Sequence, residues 1–171
     1  MALAYFITFT TYGTWLHRTD KGMGSVDDEH NHFGEPFIAA DGDRLNAARE
    51  AMKQPPYTLD ASRRDIVRDA IVGLAAEKAW RLWALHVRSN HVHVVVSADR
   101  DPGRLMSDMK SRASRDLNRL GLDPAERMRW TRHGSTRHLF EWSAVEEKVR
   151  YTLDEQGERM AYFDGGAQRM E

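Results

Sequence analysis

Residues 80–97, WRLWALHVRSNHVHVVVS, contain two runs of apolar, aromatic and β-branched residues separated by the polar triplet RSN. Runs of this kind, bounded by a polar turn, predict two antiparallel strands joined as a hairpin. The second run carries His91 and His93. Because side chains at i and i+2 leave the same face of a strand, we expect both imidazoles on one face and the alternating valines on the other.

The segments that flank this hairpin alternate between strand and helix patterns. Residues 3–12 are rich in β-branched and aromatic residues, as in a strand, and residues 60–78 carry the apolar stripe of an amphipathic helix. Pro102 opens a second amphipathic pattern that runs to about Leu120, and a weaker strand pattern between 128 and 140 is interrupted by RHGSTR. The order predicts an α+β protein, a ferredoxin-like βαββαβ antiparallel sheet with its helices on one face.

Length and composition favour one domain over residues 1–171, with 41% hydrophobic residues available for a core. A polar, glycine-containing stretch at 13–41 is expected to be a long flap loop. The chain has no cysteine, which excludes disulfides, thiolate zinc sites and cysteine nucleophiles. The net charge of -1 gives no global bias toward nucleic acid. No targeting segment or membrane span is recognisable, so we expect a cytoplasmic protein with no membrane partner.

The last helix is predicted from WSAVEEKVRYTLDEQG, residues 142–157. Ser143 and Glu146 have the spacing of a capping box, and Gly157 suits the left-handed residue after a last turn, so we expect a helix over 144–156 and a short tail from 157. At 100° per residue, Tyr151 lies away from the apolar stripe, and Glu155 follows it by one turn. This pattern indicates a tyrosine hydroxyl with an oxygen ligand beside it.

The histidine pair can chelate one metal ion. An isolated H-x-H is more often a pair of histidines on a solvated sheet face, and a helical tyrosine is more often part of the core. The position of the pair, at the start of an apolar strand and directly after a turn, favours the metal interpretation. The other six histidines, His86 among them, are expected to be loop or surface residues.

Together, HVH after SN, the order of strands and helices, and a late helix that bears a tyrosine resemble the single-tyrosine HUH transposases. This family includes insertion-sequence enzymes and the REP-associated tyrosine transposases, and the segments FITFTTYGTWL and NHVHVVV are similar to it as well. The resemblance implies that Tyr151 attacks single-stranded DNA to form a 5′-phosphotyrosine. It also implies that His91 and His93 hold a divalent metal ion, Mg²⁺ or Mn²⁺.

The chain departs from the family at one position. An amide commonly stands four residues after the tyrosine, whereas this chain has Glu155 there and Gln156 next. Helical periodicity favours Glu155 as the third metal ligand and ranks Gln156 second, because Gln156 would reach the site only if the helix were rotated or overwound there.

A local excess of positive charge supports DNA binding independently of the family. Residues 101–140 hold nine Lys or Arg against five Asp or Glu. The expected DNA-binding residues are Lys110, Arg112, Arg115 and Arg119 on the second helix and Trp130, Arg132 and Arg137 after it, with Tyr12 and Trp15 as further stacking residues. A solvated basic helix face is the alternative explanation.

The sequence therefore predicts a metal-dependent tyrosine transposase that cuts and rejoins single-stranded or hairpin DNA. Two other functions stay open. The first is a catalytically reduced, domesticated regulator that binds DNA hairpins. The second is a metal-dependent hydrolase in which water is the nucleophile. The sequence leaves open whether the protein is a monomer or a homodimer, and whether Tyr151 serves its own chain or a partner.

Overall fold

The computed structural model describes residues 1–14, 47 and 50–166. Its strands are β1 (Ala4–Thr10), β2 (Arg81–Val87), β3 (His91–Ser97), β4 (Ser135–Leu139) and β5 (Ala161–Asp164). Its helices are α1 (Ala61–Glu77), α2 (Pro102–Arg119) and α3 (Trp142–Asp154). The predicted α+β class and the βαββαβ order are confirmed. The predicted flap at 13–41 and Trp15 lie outside the described residues, except for residues 13 and 14.

The five strands form one antiparallel sheet in the order β4-β1-β3-β2-β5. The predicted hairpin is the β2–β3 pair, and β1 lies on the other side of β3. Strand β3 is therefore the centre of the sheet. Its register places His93 opposite Thr8 and His91 opposite Thr10 of β1.

The two faces of the sheet are buried by different helices. Helices α1 and α2 cover the face that carries Ile7, Phe9 and the alternating valines of β3. Helix α3 covers the other face, where its Val145 and Leu153 pack with apolar residues of the sheet. The predicted helices on one face and the separate C-terminal helix are thus both present, with the histidine pair on the α3 face.

The helix ends follow the sequence signals in α1 and α2 but not in α3. Asp60 accepts a hydrogen bond from the backbone N–H of Arg63, at 2.9 Å, and Pro102 occupies the first turn of α2. The predicted capping box is wrong, because α3 begins at Trp142 and the N–H groups of Ala144 and Val145 bond to the Glu141 carbonyl. Ser143 is thus already inside the first turn.

Two further expectations are corrected at the sheet edges. Strand β4 begins inside the segment RHGSTR, residues 132–137, that was predicted to interrupt the strand pattern, since pairing with β1 outweighs the weak local pattern. The segment from 157 is not merely a tail, because residues 161–164 form β5 on the edge of β2. A four-residue edge strand is too short to give a periodic signal. In the described part of the chain, no helix is long and apolar enough to cross a membrane.

Gly134 lies where the chain passes closely over β1. A Cβ atom added there would stand 2.5 Å from the Thr8 carbonyl oxygen and 2.7 Å from the Met106 sulfur. We predict that Gly134→Ala lowers the free energy of unfolding by about 1–3 kcal/mol, because the backbone of β1 must shift. Urea denaturation measures the change.

Gly73 provides the matched control, because it lies inside α1. The nearest atom to an added Cβ there is an Arg112 nitrogen at 3.7 Å, an ordinary contact. Gly73→Ala should raise the free energy of unfolding by about 0.5–1 kcal/mol through helix propensity. Equal stability of the two variants would contradict the close approach at Gly134.

Candidate metal and nucleophile site

Each histidine of the pair is oriented by a hydrogen bond from its Nδ1 atom. His91 Nδ1 lies 2.7 Å from Asn90 Oδ1, and His93 Nδ1 lies 2.8 Å from Thr8 Oγ1. An amide oxygen only accepts, so Nδ1 of His91 carries the proton and Nε2 has the lone pair. The Thr8 hydroxyl can accept from His93 in the same way. Partners of this kind orient metal-ligating histidines in known metal sites.

Burial keeps both imidazoles neutral. Desolvation lowers the pKa of His91 to about 4 and that of His93 to about 3, and the two rings lie 4.8 Å apart. Only 7% of the His93 surface is exposed. A metal ion needs the lone pair of a neutral imidazole, so these rings are available as ligands over the whole neutral range.

Gln156, rather than Glu155, faces the histidines. Gln156 Oε1 lies 3.2 Å from His93 Nε2. Glu155 is half exposed and pairs with Arg150 at 3.2 Å. The expected ranking, with Glu155 first, is corrected for a physical reason: the helix ends at Asp154, so the 100° periodicity no longer applies at either residue.

Tyr151 lies beside the histidine pair of its own chain. Its ring centroid is 5.6 Å from that of His93 and 5.9 Å from that of Phe6, and both contacts are edge-to-face. The Lys148 ammonium lies 5.2 Å from the centre of the tyrosine ring, and the Lys148 side chain is only 15% exposed. The nucleophile candidate, the metal-ligand candidates and one cation therefore meet on the α3 face.

The donor set fits a divalent ion. Two imidazole nitrogens and one amide oxygen present lone pairs toward one region. The 3.2 Å between His93 Nε2 and Gln156 Oε1 resembles the separation of about 3.0 Å between adjacent ligands that are each about 2.1 Å from an ion. Within the described residues, no group of three or more His, Cys, Asp and Glu side chains has the same ability. Gln156 would complete such a set of ligands together with His91 and His93.

Most of the expected DNA-binding residues of α2 are engaged inside the protein. Lys110 donates to the Thr131 carbonyl at 2.8 Å, and burial lowers its pKa to about 8. Arg112 pairs with Glu77 at 2.8 Å, and Arg119 pairs with Asp116 at 2.9 Å. Arg115 is exposed. Helix α2 also covers the face of the sheet opposite the histidines, so its basic stripe does not continue into the site.

The aromatic candidates are also packed. The Trp130 indole N–H donates to Ser114 Oγ at 2.9 Å, and its ring meets Phe9 edge-on at 5.2 Å. The Tyr12 hydroxyl accepts from the Lys53 backbone N–H at 3.1 Å. Both rings are half-buried and pack against the core, which is the alternative to a stacking role.

Arg137 and Arg132 are better placed than the residues of α2. Arg137 is the register partner of Phe6, so it leaves β4 on the same face as His93 and Tyr151. Arg132 follows Thr131, whose hydroxyl lies 3.0 Å from that of Thr10 at the His91 end of the sheet. Both arginines are exposed.

Sequence reasoning missed several residues of the site. Thr8 and Phe6 belong to β1 and reach the site only through its pairing with β3, a long-range contact that no local pattern reveals. Lys148 follows two glutamates in the sequence, a pattern typical of a solvated helix face, so its packing on Tyr151 was not predicted. His86, expected at the surface, is fully buried, because it shares the α3 face of the central strands.

Comparison with known proteins identifies the family of the chain. The family model described as "Transposase IS200 like" matches residues 53–150, more than half of the chain. The chain belongs to the IS200-like transposase family. The span that matches this transposase family includes His91 and His93 and ends one residue before Tyr151.

Two further comparisons accompany the family match. A solved structure of a REP-associated tyrosine transposase bound to a REP hairpin is similar to this transposase, with a TM-score of 0.47 and 11% identity. The similarity covers 91% of this chain and 67% of the other. No curated protein matches the sequence.

The geometry predicts different roles for the two neighbouring residues after α3. Gln156→Ala should weaken Mn²⁺ binding by about tenfold or more, because it removes a ligand oxygen. Glu155→Ala should leave the affinity close to that of the unmodified protein, since this carboxylate is directed to Arg150. Electron paramagnetic resonance titration of Mn²⁺ measures both. A larger loss of Mn²⁺ affinity in Glu155→Ala than in Gln156→Ala would instead support Glu155 as the ligand, as helical periodicity predicts.

Proposed function

We propose that this IS200-like transposase cuts and rejoins single-stranded DNA through a covalent bond to Tyr151. The observation that carries the proposal is the position of His93, whose imidazole meets Gln156 on one side and the Tyr151 ring on another. The contacts that support the proposal thus bring the proposed nucleophile and the proposed metal ligands of one chain next to one another.

In the proposed reaction, the Tyr151 hydroxyl oxygen attacks the scissile phosphorus. A bond forms between that oxygen and phosphorus, and the Tyr151 hydroxyl gives up its proton to solvent. The bond from phosphorus to the 3′ oxygen breaks, and the 3′ oxygen takes up a proton from solvent to leave as a hydroxyl. Attack by a 3′-hydroxyl on the phosphotyrosine reverses these bond changes and rejoins a strand. The step is a transesterification, so it needs no oxidant, nucleotide or water.

The residues around Tyr151 have separate roles in this proposal. His91, His93 and Gln156 would hold Mg²⁺ or Mn²⁺, which supplies Lewis-acid polarisation of the phosphate. Phe6 and His93 hold the tyrosine ring in place by edge contacts. Lys148 provides positive charge beside the attacking group, where negative charge gathers during phosphoryl transfer.

Covalent trapping tests the nucleophile. Labelled hairpin-bearing single strands from the ends of the gene's own locus are incubated with the protein and Mn²⁺, then separated on a denaturing gel. We expect a protein-linked band that is absent in Tyr151→Phe, because only the attacking oxygen is lost while the ring and its packing remain. Tyr162→Phe, a change of an exposed tyrosine on β5, is the matched control and should keep the band.

The other outcomes of this experiment identify the alternatives. Cleavage without a linked band, unchanged in Tyr151→Phe, would replace the proposal with a hydrolase that uses water. Hairpin binding with neither product would replace it with a DNA-binding regulator.

The two faces of the sheet should differ in their contribution to DNA binding. Arg137→Ala removes an exposed cation from the face of the site, and Arg115→Ala removes one from α2 on the opposite side. We predict that Arg137→Ala lowers the salt dependence of single-strand binding by about 0.7 in slope, the value for one lost phosphate contact. Arg115→Ala should leave the slope unchanged.

Fluorescence anisotropy over a salt series gives both slopes. The pair is matched, because each substitution removes one exposed arginine. Equal slopes for the two variants would contradict the predicted difference between the faces, and a lower slope in Arg115→Ala alone would assign the DNA path to the α2 face.

A further inference from the structure

His86 is a buried polar residue that the proposed reaction leaves without a role. It lies on β2 with no exposed surface, opposite His93 in the β2–β3 register. Its Nδ1 lies 2.9 Å from the Thr152 carbonyl oxygen, and its Nε2 accepts from the backbone N–H of Met160 at 3.0 Å. A hydrophobic residue would fill this space without needing either partner.

The two hydrogen bonds require one tautomer. A carbonyl only accepts and a backbone amide only donates, so Nδ1 carries the proton and Nε2 has the lone pair. Burial lowers the pKa of His86, which favours this neutral form. The ring is therefore a bridge with a donor at one end and an acceptor at the other.

The bridge joins backbone on both sides of Gln156. Thr152 lies four residues before it, in the last turn of α3, and Met160 lies four residues after it. In a continuing helix, the Thr152 carbonyl would accept the backbone N–H of Gln156. His86 bonds this carbonyl instead, at the point where the chain leaves the helix and the Gln156 side chain turns to His93.

Gln156 needs such support because it is not part of α3. We call residues 155–160 the post-helix segment. Its backbone is also held by Arg88, whose guanidinium donates to the Glu158 carbonyl at 2.8 Å. Gly157, with φ of +82°, makes the turn between these anchors. Of these anchors, His86 alone is fully buried and bonds the chain both before and after Gln156.

We propose that His86 is a positioning residue that ends α3 and holds the post-helix segment so that the Gln156 amide reaches the metal site. This inference rests on the proposed function, because it assigns the purpose of the bridge to a metal ligand. His86 itself touches neither substrate nor ion in this proposal. It acts through Gln156.

The test uses full-length His86→Leu, which removes both hydrogen bonds while keeping an apolar side chain. We expect faster hydrogen exchange of the Met160 amide and about tenfold weaker Mn²⁺ binding, the lower end of the effect of removing an outer-shell partner. The Mn²⁺ concentration that gives half-maximal formation of the covalent DNA adduct should rise by the same factor, and the rate at saturating Mn²⁺ should stay near that of the unmodified protein.

Val87→Ala is the matched control for a general loss of stability. Val87 is the next residue of β2, is fully buried, and packs on the opposite face of the sheet. Its truncation weakens the core without touching the post-helix segment, so Mn²⁺ affinity should be unchanged. A folded His86→Leu with the Mn²⁺ affinity and Met160 exchange of Val87→Ala would overturn the proposal.

Two amide substitutions keep the test valid if His86→Leu does not fold. In His86→Asn the side-chain amide can still donate to the Thr152 carbonyl, and in His86→Gln the side-chain amide can still accept the Met160 N–H. Each variant loses one of the two bonds, so each should bind Mn²⁺ more weakly than Val87→Ala. Unaltered affinity in both would overturn the role of His86.

Failure of the proposed function gives a different result. If the unmodified protein neither binds Mn²⁺ nor forms a DNA adduct, the metal and nucleophile proposal is overturned, and with it the purpose assigned to the bridge. If the unmodified protein does both and the His86 variants match it, only the role of His86 is overturned.

Discussion

The central position of β3 is the constraint on which the rest of the structure depends. A strand with neighbours on both edges and helices on both faces buries most of its side chains, and β3 buries all but its two end residues. Val92, Val94 and Val96 lie toward α1 and α2, and the histidines lie toward α3 with Val95. Burial removes the imidazoles from water, which disfavours their charged form. The alternation of side chains that builds the core therefore also places two neutral imidazoles on one face, and the Thr8 hydroxyl of β1 orients one of them.

Basic side chains lie on both sides of the sheet. On the α2 side, Arg112 pairs with Glu77 at the end of α1, and Arg119 pairs with Asp116 one turn before it. Such pairs at the surface stabilise a fold only slightly, but they occupy the cations. On the α3 side, Lys148 packs against Tyr151 and also pairs with Glu147 at 3.0 Å, and the Arg137 side chain is exposed on β4. Exposed arginines thus lie on both sides of the sheet, Arg115 on α2 and Arg137 on β4, and of these two Arg137 is on the face of the nucleophile candidate.

The end of α3 connects the fold to the chemistry. Within α3, helical periodicity determines the direction of each side chain, and it correctly places Tyr151 away from the apolar stripe. Beyond Asp154, the path of the chain depends on which groups from other segments bond the backbone carbonyl and amide groups that the helix leaves unpaired. His86 and Arg88 provide those bonds from β2 and the turn that follows it, and Gln156 consequently lies closer to the histidines than Glu155 does.

The sequence by itself determined the element order, the sheet class, the shared face of His91 and His93 and the place of Tyr151, because periods of 2 and 3.6 residues are local properties. Only the tertiary structure decided that β4 and β5 complete the sheet edges, that the basic stripe of α2 lies on the face opposite the histidines, and that Gln156 rather than Glu155 meets them. These outcomes depend on contacts between segments far apart in the chain. A local period of residues cannot encode such contacts. Strand pairing, side-chain burial and the end of a helix each depend on the segments that the folded chain brings into contact.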